Sequence, residues 1–372
     1  MPCAVRERCA VRERRAVREW RAVRERRRLV KLEFERRALR LVKPMQTSYG
    51  ELGERELLAV AITGDDGLTG HGEAAPLESY DGVGVERAQA ALERYAPVLA
   101  CSGGLNGAQL VDACRQVDDL PAALAAIDLA LWDRAGRRAG KPIAALITDD
   151  PAREVPVNAT ISSLDREGVA DDAATAVRDG FGCVKLKVGV GDDAGRVAAA
   201  RAAAGRDVAL RLDANGAWSV EEAVRTIDAL APAGLELVEE PVHGLQAVRE
   251  VRERVAVRVS IDETAAEHGA LGAGVADAVC LKISRCGGIS GLLAAATLVR
   301  ASGAEAYIAS TLDGPLGVAA AVHAAAALAS RGPVPHCGLA TLGMFEGIED
   351  PLPARDGRIA VPSGAGLGVD PL

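Results

Sequence analysis

The residues of this 372-residue chain best suited to chemistry are charged groups set inside short apolar runs. Lys185 and Lys187 lie in CVKLKVG (183–189) and Asp213 in ALRLDAN (209–215). Glu239 and Glu240 lie in ELVEEP (236–241), Asp262 in RVSIDET (258–264) and Lys282 in AVCLKI (278–283). Each run reads as a buried strand, and buried strands should be apolar. Five successive runs ending in acids or lysines are therefore not explained by packing. Asp213, Glu239 and Asp262 come from three neighbouring runs, so their carboxylates can converge. Packed together without a cation they would repel and their pKa values would rise. A hard divalent cation relieves this, and an all-oxygen site shared with substrate fits Mg²⁺, with Mn²⁺ as a substitute. No His or Cys is read at these strand ends, so zinc is not expected.

The lysines complete the set. Lys185 and Lys187 are two apart on one strand and point the same way. Lys282 arrives from the opposite side, four strands on. Partial burial, a neighbouring ammonium and a nearby cation each disfavour a charged lysine, and a partly neutral lysine can act as a base near neutral pH. Metal between lysines suits proton chemistry on the α-carbon of a carboxylate, the cation holding the carboxylate and stabilising the enediolate.

The elements that must position these groups follow a regular rhythm after residue 150. PVNATI (156–161), the five runs above and EAYIAST (305–311) are β-like, with Ala-rich helical stretches between them. One βα unit every 20 to 30 residues, seven in a row with right-handed crossovers, closes into a parallel barrel. A doubly wound sheet is the alternative, but it would usually carry a Gly-rich loop after its first strand, and NATISSLDREG has none. Before residue 150 the order is strands, then helices. Residues 30–41 and 55–63 read as strands, with a turn at Asp65-Asp66-Gly67 and a return through GLTGHGEAAP. Helical patterns follow at 84–99, 106–117 and 121–138, the last opening at Pro121 and stopping at Gly140. The division expected is an extension over 1–28, an α+β capping domain over 29–150, a (β/α)7β-type barrel over 151–335, and a segment over 336–372 returning to the capping domain.

The first 28 residues repeat a hexad, CAVRER, CAVRER, RAVREW, RAVRER. A period of six matches neither 3.6 nor 3.5, so Val5, Val11, Val17 and Val23 would spread around a helix. A loosely helical or disordered extension is expected, in preference to a basic arm. The formal net charge of −8 hides this segment: its 11 Arg and 4 Glu give +7, which leaves −15 for the rest. An acidic body argues against nucleic acid as partner. No apolar run is long enough to span a membrane and no secretory h-region is visible, so a cytoplasmic location is expected. The eight cysteines form no CxxC pair and read as buried free thiols. The five histidines are scattered and read as satisfied or surface groups. Gly287-Gly288 fits either an anion nest or a tight βα turn.

These motifs resemble the muconate-lactonizing subgroup of the enolase superfamily over about residues 30–370. VKLKVG matches the lysine pair, LDAN, VEEP and IDET the three ligand strands, and LKISRCGGI the second-lysine strand. TSYGE…GHGEAAPLESY and AIDLALWD match the capping domain. The resemblance implies Asp213, Glu239 and Asp262 as metal ligands, Lys187 as acid/base, Lys282 on the opposite face, and Lys185 on the substrate carboxylate. It implies substrate contacts from Asn215, Ser310 and Asp313, and from a capping loop at Thr47, Ser48 and Tyr49. It also implies a homo-oligomer acting on a small-molecule carboxylate. Dipeptide epimerases of the family usually carry Asp-x-Asp where this chain reads HCGLATLGMF (336–345), without an acid. CGLAT resembles some o-succinylbenzoate synthases, so that dehydration ranks first, muconate-type cycloisomerisation second and N-acylamino acid racemisation third. A non-catalytic barrel would require the lysines and carboxylates to be lost, and all are present.

Overall fold

The computed structural model describes residues 30–47 and 50–372. The hexad extension over 1–28, together with Ser48, Tyr49 and the side chain of Thr47, lies outside the described residues. The chain opens with an antiparallel meander of β1 (Lys31–Thr47), β2 (Gly50–Thr63) and β3 (Thr69–Ala74). Leu58, Val60 and Ile62 of β2 pack against the helices behind the sheet, while Leu57 faces the other way, against Leu39, Leu41 and Leu312. Those helices span Val85–Cys101, Gly107–Val117 and Pro121–Ala139. β3 lies directly on the third. A Cβ at Gly70 or Gly72 would come within 2.1 Å of the Ala130 or Ala126 carbonyl oxygen, so only glycine permits this approach.

The same helix ties the capping unit to the barrel through two buried acids of AIDLALWD. Asp128 accepts hydrogen bonds from the Ser290 N–H (3.0 Å) and hydroxyl (2.6 Å), at the start of the barrel helix Ile289–Ala301. Asp133 accepts from the His71 N–H and from the Leu367 N–H, both at 2.8 Å.

The barrel is a seven-stranded parallel sheet in sequence order: β5 (Ala159–Ile161), β6 (Cys183–Lys187), β7 (Ala209–Asp213), β8 (Leu235–Glu239), β9 (Val259–Ile261), β10 (Ala278–Leu281) and β11 (Glu305–Ile308). Cys337-Gly338 closes it, forming parallel bridges to Val157 on one side and Ala309 on the other. The architecture is thus the modified barrel with a capping domain read from the sequence. On the N-terminal side of β5, β4 (Glu154–Pro156) pairs with β13 (Arg358–Ala360), which pairs with β12 (Ala354–Arg355). After Cys337-Gly338 the chain also touches the capping unit, where Leu41 bridges Phe345. One crossover departs from the expected pattern: β9 is followed only by 3₁₀ turns at Glu263–Ala266 and Ala270–Gly272.

Candidate active site

Strand register brings the chemical groups together. Lys187 pairs with Asp213 and Asp213 with Glu239 across β6, β7 and β8, so these three stand in one layer at the C-terminal ends of their strands. Asp262 and Lys282 each follow their strand by one residue. All three carboxylates are at most 4 % exposed. The Lys185 ammonium lies 3.0 Å from Asp213 Oδ2 and 2.7 Å from Glu239 Oε1. Lys187 donates to Asn215 Oδ1 at 2.5 Å and reaches Asp213 Oδ2 at 3.4 Å. Lys282 forms an ion pair with Asp262 and sits over the Tyr80 ring, 4.9 Å from its centroid. Of the two glutamates in VEEP, Glu239 faces this cluster. Glu240 turns away, accepting from the Asp262 N–H (2.7 Å), the Thr264 N–H (2.9 Å) and the Thr264 hydroxyl (2.5 Å).

The electrostatics correct one expectation. Burial alone would lower the Lys185 and Lys282 ammonium pKa values, but the facing carboxylates raise both: Asp213 and Glu239 for Lys185, Asp262 foremost for Lys282. Both therefore stand as cations rather than partly neutral amines, because the ion pairs outweigh desolvation. Asp213 is the converse. Burial would raise it, while Lys185 and Lys187 hold it well below the usual carboxylate range. Glu239 is raised by its burial.

Several contributors were not legible as site residues. Tyr80, in the capping segment Glu78–Asp81, donates its hydroxyl to Asp262 Oδ1 at 2.7 Å and accepts from Arg285 at 2.8 Å. Tyr307 donates to Glu239 Oε2 at 2.5 Å and pairs with the Ser260 hydroxyl at 2.9 Å. Each holds the oxygen of a carboxylate that the lysines do not. Cys280 also corrects the sequence picture. Its Sγ and one oxygen each of Glu239 and Asp262 lie within 4.8 Å of one another, so a cysteine does stand at this centre.

Above the carboxylates lies a cavity of about 130 Å³, lined by Lys185, Lys187 and Lys282 with Asp213, Asp262, Asn215 and Ser310. Asn158, Thr160, Ser79 and Thr341 add neutral polar groups, and Met45, Leu52, Leu77, Leu312 and Met344 an apolar wall. A second cavity of about 410 Å³ shares Met45, Thr160, Lys187 and Asn215 with it. Asn215 and Ser310 thus sit where substrate contact was expected. Asp313 does not. It is 0 % exposed, absent from the cavity wall, and its carboxylate accepts from the Thr311 hydroxyl (2.8 Å) and N–H (3.2 Å). Its place just before the buried start of the helix Pro315–Ala329 turns it into the protein interior, away from any ligand in the cavity.

Two smaller ambiguities resolve. A Cβ at Gly288 would fall 2.5 Å from Asp128 Oδ2, so this turn is shaped around an internal acid already capping the next helix. His323 is a satisfied core residue, accepting at Nδ1 from the Ala144 N–H (3.3 Å) with Nε2 3.1 Å from the Leu367 carbonyl.

Comparison with known proteins places this geometry. The model for the mandelate racemase / muconate lactonizing enzyme N-terminal domain matches residues 31–148, and that for the enolase C-terminal domain-like family matches residues 168–372. The chain belongs to the enolase superfamily. Muconate cycloisomerase 1 of Rhodococcus opacus is 31% identical over 349 residues, covering 89% of this chain and 92% of that one. The L-Ala-D/L-Glu epimerase of Bacillus subtilis is 30% identical over 312 residues, covering 80% and 85%. The Enterococcus faecalis dipeptide epimerase, solved with Mg and L-Leu-L-Tyr, superposes with a TM-score of 0.83 at 27% identity, covering 91% of this chain and 99% of that one. This chain is accordingly an enzyme of the muconate-lactonizing subgroup. Among the described residues, no helix is long and apolar enough to cross a membrane.

Proposed function

We propose that this enzyme moves the α-proton of a small carboxylate substrate, with a divalent cation held by Asp213, Glu239 and Asp262. The donor set supports the cation: three buried carboxylates meet, and among the described residues their charged partners are lysine ammoniums. Mg²⁺, or Mn²⁺ in its place, would supply a fixed positive charge for the substrate carboxylate and for the enediolate. The observation that carries the proposal is that Lys187 and Lys282 line one cavity from strands on opposite sides of the barrel, above that triad. Lys187 Nζ takes the proton from the α-carbon. Lys185, paired with Asp213 and Glu239, steadies the substrate carboxylate. Asn215 orients the Lys187 amine, and Ser310 offers a hydroxyl to the substrate body.

Within this chemistry we favour an o-succinylbenzoate synthase-like dehydration. Lys187 takes the α-proton and returns it to the departing β-hydroxide, releasing water, while Lys282 stays a cation beside the enediolate. The pinning of Lys282 between Asp262 and the Tyr80 ring supports that fixed role. Gly338 and Thr341 supply no acid to hold an ammonium, and Leu52, Leu77 and Leu312 suit an apolar or aryl body. A second reading, racemisation of an N-acylated amino acid, is favoured by the two lysines on opposite walls and by 28% identity to the N-succinyl-L-Arg/Lys racemase of Bacillus cereus. The test is proton NMR in D₂O over the o-succinylbenzoate precursor, muconate, N-succinyl amino acids and dipeptides. Turnover of the first, with loss of its α-proton and release of water, is expected. Comparable exchange into both enantiomers of an N-succinyl amino acid would overturn the dehydration in favour of the racemase.

A further inference from the structure

One donor at the carboxylate centre lies outside the all-oxygen set. Cys280 is two residues before Lys282 on β10, so both side chains point into the barrel. β9 and β10 pair Ser260 with Ala278. Two residues further along each strand, on the same face, Asp262 and Cys280 stand side by side. Cys280 Sγ, one Glu239 oxygen and one Asp262 oxygen lie within 4.8 Å of one another, and the three residues are 2, 0 and 4 % exposed. Among the described residues no other trio of His, Cys, Asp or Glu is so closely gathered. Asp213, the third carboxylate of the site, adjoins this trio through the Lys185 ammonium, which contacts both it and Glu239.

The surroundings of the sulfur are only partly those of a core thiol. Leu237, Ala278, Tyr307 and Ala309 pack against it below. Its one hydrogen bond among the described residues is accepted from the Lys282 ammonium at 3.9 Å, so the S–H donates to no described group. The thiol is thus buried, without an acceptor, and aimed at two carboxylates. Zn–S and Zn–O bonds of about 2.3 and 2.1 Å place the two donors about 3.6 Å apart in a tetrahedral centre. The trio needs to close by only about 1 Å to bind one ion.

We propose that Cys280 is a sulfur ligand to the cation held by Asp213, Glu239 and Asp262, so that this centre takes thiophilic divalent cations such as Cd²⁺, Zn²⁺ and Co²⁺ through sulfur as well as oxygen. The inference rests on the metal site of the proposed function. As the sulfur–metal bond forms, the S–H bond breaks and its proton leaves to solvent. A soft thiolate shifts preference toward these ions and away from Mg²⁺, which favours oxygen.

The experiment is spectroscopic and needs no substrate. Full-length metal-free protein is titrated with Co²⁺, following bound metal by equilibrium dialysis and the near-ultraviolet sulfur-to-cobalt charge-transfer band. Wild type should bind one equivalent with that band. C280S should still bind Co²⁺ but lose the band, and its Cd²⁺ affinity should fall on the order of tenfold. Should C280S fold poorly, ¹¹³Cd NMR of the wild type decides alone, a resonance in the sulfur-ligated range being expected. Stoichiometric Co²⁺ without the band, a band that survives in C280S, or a ¹¹³Cd resonance typical of all-oxygen ligation would overturn the role of Cys280 while leaving the carboxylate site standing. Failure to bind Co²⁺ at all would overturn both.

Discussion

Glu73 offers a test of the joint between the capping sheet and the barrel. It sits on β3, buried, and its Oε1 accepts the Gly314 N–H at 2.7 Å, just ahead of the barrel helix Pro315–Ala329. Asp313 is equally buried nearby. Arg55 is the cation of this cluster, but its hydrogen bonds go to the carbonyls of Pro76 (2.7 Å), Ala75 (3.2 Å) and Leu312 (3.4 Å). Two carboxyls thus share one guanidinium. Burial, then the Asp313 charge, push Glu73 from its ordinary 4.5 up to about 8, against the pull of the Gly314 and Gly317 N–H groups and Arg55. Between those values the folded chain keeps a proton that the unfolded chain has lost. The contribution of Glu73 to stability is therefore greatest below pH 4.5 and falls as pH rises to 8, by at most about 4–5 kcal/mol at about 1.4 kcal/mol per unit. Glu73→Gln cannot ionise, and its amide oxygen can still accept from Gly314. Urea unfolding of both proteins from pH 5 to 9 should show Glu73→Gln gaining on wild type steadily up to about pH 8 and levelling off above it. A difference that is flat with pH, or that favours wild type at high pH, would refute this account of the joint.

Three further outcomes follow from single contacts. Asp213→Asn should lose measurable Mg²⁺ binding by calorimetry while keeping its circular dichroism spectrum, since only the site loses a charge. Gly72→Ala should destabilise by about 1–3 kcal/mol or more in urea unfolding, because its Cβ would meet the Ala126 carbonyl oxygen at 2.1 Å. Asp128→Ala should cost about 1–2 kcal/mol by the same assay, as it leaves the Ser290 N–H without its acceptor.

The barrel was legible because its strands carry charge at their ends. CVKLKVG, ALRLDAN and ELVEEP each mark a buried strand by apolar residues and a site by the one or two that are not. Period-2 alternation sends Lys185 and Lys187 to the same side, and the register then sets Lys187, Asp213 and Glu239 in one layer. Contacts made across long stretches of chain were not legible. Tyr80 reaches Asp262 from 182 residues away, and nothing in PLESYD distinguishes it from a surface tyrosine. Asp313 misleads because STLDG places an acid near the barrel mouth without saying which way its loop turns. Leu312 adopts a left-handed φ of 60°, and the acid after it is directed inward. Lysine charge misleads for a related reason: burial is visible in the pattern, whereas the pairing of Lys282 with Asp262 requires the β9–β10 register.

The most direct test of proton transfer at a metal-held carboxylate is loss of the substrate α-proton signal, measured by proton NMR in D₂O. Wild type loaded with Mg²⁺ should remove the α-proton, and the same protein stripped with EDTA should not until Mg²⁺ or Mn²⁺ is restored. Lys187→Ala should abolish this loss even with metal bound. Undiminished loss in the stripped protein, or in Lys187→Ala, would contradict the account.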